Sequence, residues 1–188
     1  KMNMVVAGIN SGAINRGTEI EDKGVYNKYA GFTANCLTWT KYGRTHGHVN
    51  AAYALCVSCN YYFYEIGDML DIKVIDETAK QLGLGEPTGS ELAETTGRRA
   101  NQETKAEVFA GTQQSDWVDG DKLQAVIGQS LNQFTPLQMV CYTSALANEG
   151  VRYEATYLRR VVSWDFQKLL LESKPTVASV LEMSDEAK

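Results

Sequence analysis

The chain of 188 residues is 44% hydrophobic and 22% charged. That is ordinary globular usage and excludes a disordered or collagen-like chain. Its 18 Lys plus Arg against 23 Asp plus Glu give a net charge of −5, which argues against a nucleic-acid partner because phosphate binding needs a basic surface.

The elements follow in chain order. Met2, Val5, Val6 and Ile9 fall at i, i+3, i+4 and i+7, the apolar face of a helix, and Ser11-Gly12 stops it. Residues 15–47 are polar, Gly-rich and irregular, and read as a long excursion with one or two short strands. Asn50 is placed to cap a helix through Val57. Ser58-Cys59-Asn60 interrupts it. Tyr61 to Leu70 reads as a second helix and Asp71 to Leu82 as a third, with Ile72, Ile75, Ala79 and Leu82 inward. Residues 83–121 read as a long polar loop with little core. Thr135-Pro136-Leu137-Gln138 is a capping box with Pro at the first helical position, and the helix runs to Gly150. Val151 to Val162 and Phe166 to Leu171 read as the two strands of a hairpin. Ser184-Asp185-Glu186 looks like a further helix start. No apolar run approaches the ~18–20 residues of a membrane helix, and no signal-peptide pattern opens the chain. The abrupt apolar start reads as a piece of a longer protein, and residues 1–188 as a single partial domain.

Five of the six Cys and His residues, Cys36, His46, His48, Cys56 and Cys59, fall in one stretch; only Cys141 lies outside. Thiols and imidazoles in this number can hold a tetrahedral zinc. They can equally be buried small hydrophobes or form a disulfide.

The stretch His46-Gly47-His48-Val49-Asn50, then Ala54-Leu55, Ser58-Cys59-Asn60 and Tyr62-Phe63-Tyr64, resembles the transpeptidase domain of class B penicillin-binding proteins. So do Ile127-Gly128-Gln129, Thr135-Pro136-Leu137-Gln138, Leu146-Ala147-Asn148 and Gly150, and the opening Ala7-Gly8-Ile9-Asn10-Ser11-Gly12. The resemblance spans nearly the whole chain. It implies an α+β fold of the penicillin-binding-protein and serine β-lactamase kind, with a helical part carrying the Ser-x-Asn turn beside an antiparallel sheet. In the family register Lys1 falls on the lysine of Ser-x-x-Lys. The nucleophilic serine would lie three residues earlier and the Lys-Thr-Gly strand beyond the end, so this chain alone is expected not to acylate.

The implied reaction is acyl transfer from a D-Ala-D-Ala stem peptide to an amine of a neighbouring peptidoglycan strand, through an acyl-serine. A serine hydroxyl needs a base, and a lysine three residues on shares its helix face. The resemblance assigns the base to Lys1, proton relay to Ser58, and lysine orientation and substrate-amide binding to Asn60; Gln129 is a candidate for touching the cleft. It also implies acylation by β-lactam antibiotics, a glycosyltransferase partner, and a place on the extracytoplasmic face of the membrane behind an N-terminal anchor outside this chain. No cofactor is required; a structural zinc on the Cys/His stretch would brace the turn. The Thr-Pro-Leu-Gln helix and the 15–47 excursion favour a transpeptidase over a serine β-lactamase or β-lactam sensor of the same fold. A non-catalytic, zinc-braced scaffold is the rival of another class.

Overall fold

The apolar opening segment becomes α1 (Met2–Asn10), closed by Ser11 and the left-handed Gly12; it buries Met4, Val6, Ala7 and Ile9, while Met2 of the expected face stays exposed. The computed structural model describes residues 1–188. They divide into two compact units: Lys1–Thr78 with Arg99–Asn132 and Met183–Lys188, and Ala79–Arg98 with Gln133–Glu182.

In the first unit, the 15–47 excursion is more ordered than its composition implies. It holds β1 (Ile20–Asp22), β2 (Val25–Tyr26), β3 (Ala34–Asn35), a short helix α2 (Leu37–Tyr42) and β4 (Gly47–Val49). The sequence reading missed α2 because the helix buries none of its residues and so has no apolar period. Its ends are local: Cys36 enters in extended conformation and Gly43 leaves left-handed at φ 62°. β1 pairs antiparallel with β4, setting Asp22 opposite Gly47, and β2 pairs with β3.

α3 (Ala51–Cys56) and α4 (Asn60–Met69) follow as expected, and the Asn50 side chain accepts the Tyr53 N–H at 3.0 Å. α4 is the centre of this unit. Tyr61, Tyr62, Phe63, Tyr64 and Ile66 are all buried, so the helix is covered on nearly every side. α1, α3, β1, β2 and α7 (Asp119–Val126) pack against it. Tyr26 meets the Tyr61 and Tyr64 rings at 5.6 and 5.5 Å. Each such side chain removed from water is worth about 1.5–3 kcal/mol, so the element that carries Asn60 is held by many contacts. α5 (Ile72–Gln81) crosses from one unit into the other after Thr78.

The expected loop over 83–121 also contains a helix, α6 (Gln102–Val108), and the start of α7. α6 is polar and buries Lys105, which pairs with Asp121 at 2.5 Å. Its signal is a cap: Asn101 accepts the Thr104 N–H at 2.8 Å, with Glu103 in the first turn. Residues 184–188 form a turn rather than a helix start.

In the second unit, α8 (Pro136–Ala147) has both bonds of its capping box. Gln138 N–H donates to Thr135 Oγ1 at 3.2 Å, and Thr135 N–H donates to Gln138 Oε1 at 3.0 Å. Gln138 is fully buried, and its Nε2 donates to the carbonyls of Glu86 and Thr96, each at 2.7 Å. One amide thereby caps a helix and ties down the 84–98 segment. The strands depart from expectation. β5 (Val151–Tyr153) pairs with β8 (Val177–Val180), while β6 (Arg160–Val162) forms the hairpin with β7 (Leu169–Glu172). Residues 154–159 break the single strand expected over 151–162. The buried Arg152 explains the outer pairing: it donates to Pro87 O at 3.0 Å and to Ser179 Oγ on β8 at 2.8 Å.

Gly67 shows how closely α4 and α7 approach. A Cβ there would lie 2.6 Å from Val126 Cγ1. Alanine in place of a helical glycine ordinarily gains about 1 kcal/mol, whereas overpacking costs about 1–3 kcal/mol. Gly67→Ala is expected to lower the thermal midpoint by several degrees, and a rise would show that the α4–α7 contact is loose.

Candidate active site and metal centre

Between Val57, which closes α3, and Cys59, which caps α4, stands a single residue, Ser58. Cys59 N–H donates to Ala54 O at 2.9 Å and Ser58 N–H to Leu55 O at 3.2 Å, the pattern of a left-handed helix end. The left-handed position, normally glycine, is Ser58 at φ 54°. A side chain there costs about 1–2 kcal/mol. Such strain is retained where the side chain has a use, and here Ser58 points its hydroxyl at Lys1.

Lys1 sits at the N-terminal end of α1. Its Nζ donates to Asn60 Oδ1 at 2.6 Å, to Ser58 Oγ at 2.8 Å and to Ser58 O at 2.9 Å. An ammonium has three donors, and all three are engaged. The Phe63 ring centroid lies 5.4 Å away. Partial burial lowers the lysine pKa, and the negative potential of Cys36 and Cys59 partly offsets this. The structure thus brings together the three residues expected to be catalytic. Ser58 is exposed and Lys1 and Asn60 are part-buried, so the group borders solvent.

Gln129 is exposed and serves its own loop. Its N–H donates to Gln124 O at 3.0 Å, closing α7 through the left-handed Gly128, and its carbonyl accepts from Asn132. No recorded bond joins it to Lys1, Ser58 or Asn60.

One residue beyond Ser58 the chain enters a second cluster. The ligand atoms of Asp22, Cys36, His46 and Cys59 lie within 4.8 Å of one another. Cys36 and Cys59 are the residues just before α2 and α4, and neither has any exposed surface. The β1–β4 register brings His46 to Asp22, whose Oδ2 accepts the His46 backbone N–H at 3.0 Å and lies 2.8 Å from Nδ1. Asp22 Oδ1 accepts the Gly24 N–H at 2.8 Å. Nε2 of His46 is 3.0 Å from Thr38 Oγ1, leaving Nδ1 facing the cluster.

Three of the five candidates from the Cys/His stretch therefore converge, and two do not. His48 and Cys56 are exposed and stand outside the group. His46 precedes β4 and is set off from it by the left-handed Gly47, whereas His48 lies within β4 and pairs with the exposed Glu21, on the face opposite the Asp22–Gly47 pair. Cys56 ends α3 on its outer side. Asp22 takes the fourth place, and sequence reasoning missed it because a lone aspartate 14 residues before Cys36 has no local signature.

The cluster's charges cannot all stand alone. Burial opposes the Asp22 carboxylate, but the N–H groups of His46 and Gly24, with the His46 ring and Cys59, still hold its pKa low. Cys36 is lowered, chiefly by a hydrogen bond from Cys59 and further by the backbone N–H groups of Tyr61, Asn60 and Thr38. Cys59 is raised by donating that bond and by burial. Two sulfurs, one imidazole nitrogen and one carboxylate suit zinc. Ligands about 2.0–2.3 Å from zinc stand roughly 3.3–3.8 Å apart; Cys36 Sγ and His46 Nδ1 are 3.5 Å apart, while Asp22 Oδ2 and His46 Nδ1, hydrogen-bonded at 2.8 Å, would have to separate slightly. The Thr38–Nε2 bond is the outer contact that fixes a ligating imidazole. The donor set fits the metal.

A family model described as the penicillin binding protein transpeptidase domain matches residues 1–187. The chain is 32% identical over 146 residues to the peptidoglycan D,D-transpeptidase MrdA of Acinetobacter baumannii, covering 77% of this chain and 21% of that protein. It superposes on a Pseudomonas aeruginosa PBP2 structure with a TM-score of 0.78 at 22% identity, covering 99% of this chain and 40% of the other. A Helicobacter pylori penicillin-binding protein (PBP2), solved in complex with MreC, gives 0.73 at 27% identity, over 83% of this chain and 28% of the other. The chain spans about a fifth of the length of the curated relative it matches. The match to the transpeptidase model runs over all but the last residue, and by it the chain belongs to the penicillin-binding-protein transpeptidase domain family, in its class B branch.

Proposed function

We propose that this chain is part of a D,D-transpeptidase that cross-links peptidoglycan by serine acyl transfer and is acylated by β-lactams. The observation that carries the reading is the Lys1 ammonium held by Ser58 and Asn60 together. The serine that the family register puts three residues before Lys1 would give its proton to the Lys1 amine and attack the D-Ala carbonyl carbon. Ser58 Oγ passes that proton from Lys1 to the departing D-Ala nitrogen, since a hydroxyl accepts and donates at once. An amine of a second stem peptide then takes the acyl group, with the same groups working in reverse. Asn60 orients the lysine and offers its amide to the substrate backbone. The curated relative is a D,D-transpeptidase, which favours this reading over a β-lactamase, a β-lactam sensor or a scaffold.

The same reading places the protein on the extracytoplasmic face of the membrane, anchored by a helix outside this chain; no helix present is long and apolar enough to cross a membrane. Its partners would be stem peptides, a cell-wall glycosyltransferase and assembly proteins. The Helicobacter pylori complex with MreC supports partners of that kind. Asp22, Cys36, His46 and Cys59 would hold one structural zinc. Four protein ligands leave no position for substrate, so the metal's part is to brace the turn that carries Ser58 and Asn60.

Ser58→Gly separates chemistry from folding. Glycine relieves the left-handed strain at φ 54°, offsetting the added freedom of the unfolded chain, so stability should stay within about 1 kcal/mol. Removing the hydroxyl should slow acylation by a fluorescent penicillin on the order of 100-fold. Unchanged acylation would reduce Ser58 to a turn residue. Asn60→Ala should also lose acylation far more than stability.

The base must be the neutral amine. Burial lowers the Lys1 pKa from the ordinary 10.5, so the acylation rate should rise with pH and level off around a midpoint below 10.5. A profile falling over that range would exclude Lys1 as base.

Zinc bound only to the folded state adds about 2.7 kcal/mol at 100 times its dissociation constant. A strong chelator should lower the melting temperature, Cys59→Ser should abolish that sensitivity, and Cys56→Ser should retain it. Elemental analysis showing under ~0.1 zinc per chain in metal-replete protein would remove the metal from the reading.

A further inference from the structure

Two of the four residues in the buried cluster are thiols, which gives the cluster a chemistry that metal binding does not use. The sulfurs of Cys36 and Cys59 lie no more than 4.8 Å apart. Both are free and fully buried. The other two cysteines stand elsewhere: Cys56 is exposed at the end of α3, and Cys141 lies on α8 in the second unit. A disulfide needs about 2.05 Å between sulfurs, so closure asks them to approach by less than ~3 Å.

We propose that Cys36 and Cys59 are a redox pair, which closes to a disulfide when the cluster is without metal and thereby shifts the Ser58–Asn60 turn. The metal half of this statement rests on the zinc reading above; the dithiol half does not. With zinc bound, both sulfurs are ligands and are shielded from oxidation. Without it, the oxidant is a small hydroperoxide. One thiol attacks the peroxide O–O bond and becomes a sulfenic acid, releasing one water (or one alcohol). The second thiol attacks that sulfur, the S–S bond forms, and a water leaves with the hydroxyl. The peroxide takes up two electrons and both thiol protons.

The consequence for the site follows from chain continuity. Cys59 is the residue between Ser58 and Asn60, whose side chains hold Lys1 Nζ at 2.8 and 2.6 Å. Hydrogen bonds weaken steeply with small displacements, and drawing Cys59 toward Cys36 moves both partners. The pair would report the loss of metal or an oxidising environment directly at the transpeptidase turn.

The test uses the full-length transpeptidase. It is purified with zinc, divided, and one half stripped with a chelator. Both halves are treated with hydrogen peroxide, alkylated before denaturation, digested and analysed by mass spectrometry. The expected result is a cross-linked pair of peptides containing Cys36 and Cys59, two mass units below the reduced sum, in the stripped half and at least 10-fold less in the zinc-loaded half. Fluorescent-penicillin acylation should fall at least 10-fold in step and return on treatment with dithiothreitol. Cys56→Ser should behave the same way. A Cys56–Cys59 cross-link, oxidation of Cys56 alone, or a disulfide that leaves acylation unchanged would overturn the proposal. If the disulfide forms equally in both halves and no zinc is found, the redox pair stands and the zinc reading fails. If zinc is bound but the stripped protein gives no Cys36–Cys59 disulfide, the redox pair fails and the zinc reading stands.

Discussion

A lysine ammonium beside a tight helix–helix connection sets the terms for the first unit. Its three protons need three acceptors in a partly desolvated place, and the turn from α3 to α4 supplies them from two residues: a carbonyl, a hydroxyl and an amide oxygen. A left-handed Ser58 brings its hydroxyl and its carbonyl to the same nitrogen. That conformation is strained for serine, so neighbouring packing must hold it. The buried aromatics of α4 do so on one side, and on the other the chain passes at once into Cys59.

The placement of the cysteine cluster makes physical sense in this light. A turn closed by hydrogen bonds alone is free to fray, and its residues border solvent. Cys59 meets Asp22 of β1, Cys36 at the start of α2 and His46 at the entry to β4 in one buried group, which ties the turn to three other stretches of chain. Two thiols and a carboxylate, all ionised, would place more negative charge there than a buried site tolerates unneutralised. One proton shared between Cys36 and Cys59 is one resolution, a divalent cation is another, and a covalent S–S bond is a third. The Ser58–Asn60 turn adjoins that group directly in the chain, through Cys59.

The second unit relies on a different constraint, the need to satisfy buried polar groups. Gln138 and Arg152 are both buried. Between them they donate to the carbonyls of Glu86, Thr96 and Pro87 and to Ser179. These bonds hold a segment with few apolar residues against α8 and the β5–β8 pair. The 83–98 stretch looked structureless in sequence because its order comes from side chains far along the chain.

Local physics was legible in sequence. The α1 helix, the Asn50 cap, the capping box of α8 and the break at Ser58-Cys59-Asn60 depend on near neighbours in sequence and form as read, although α1 buries Met4 and Ala7 beside Val6 and Ile9 and leaves Met2 exposed. The convergence of Lys1, Ser58 and Asn60 was legible only through family resemblance, since nothing in the spacing relates residue 1 to residue 60. Tertiary structure decided the rest. Strand pairing put β5 with β8 rather than with its sequence neighbour, because the buried Arg152 bonds to Ser179. Strand register, not proximity in sequence, admitted Asp22 to the cysteine cluster and left His48 outside, and Cys56 is exposed at the end of α3. A ligand set is a statement about where side chains meet, and a histidine or cysteine close in sequence can still face the opposite side of its strand or helix.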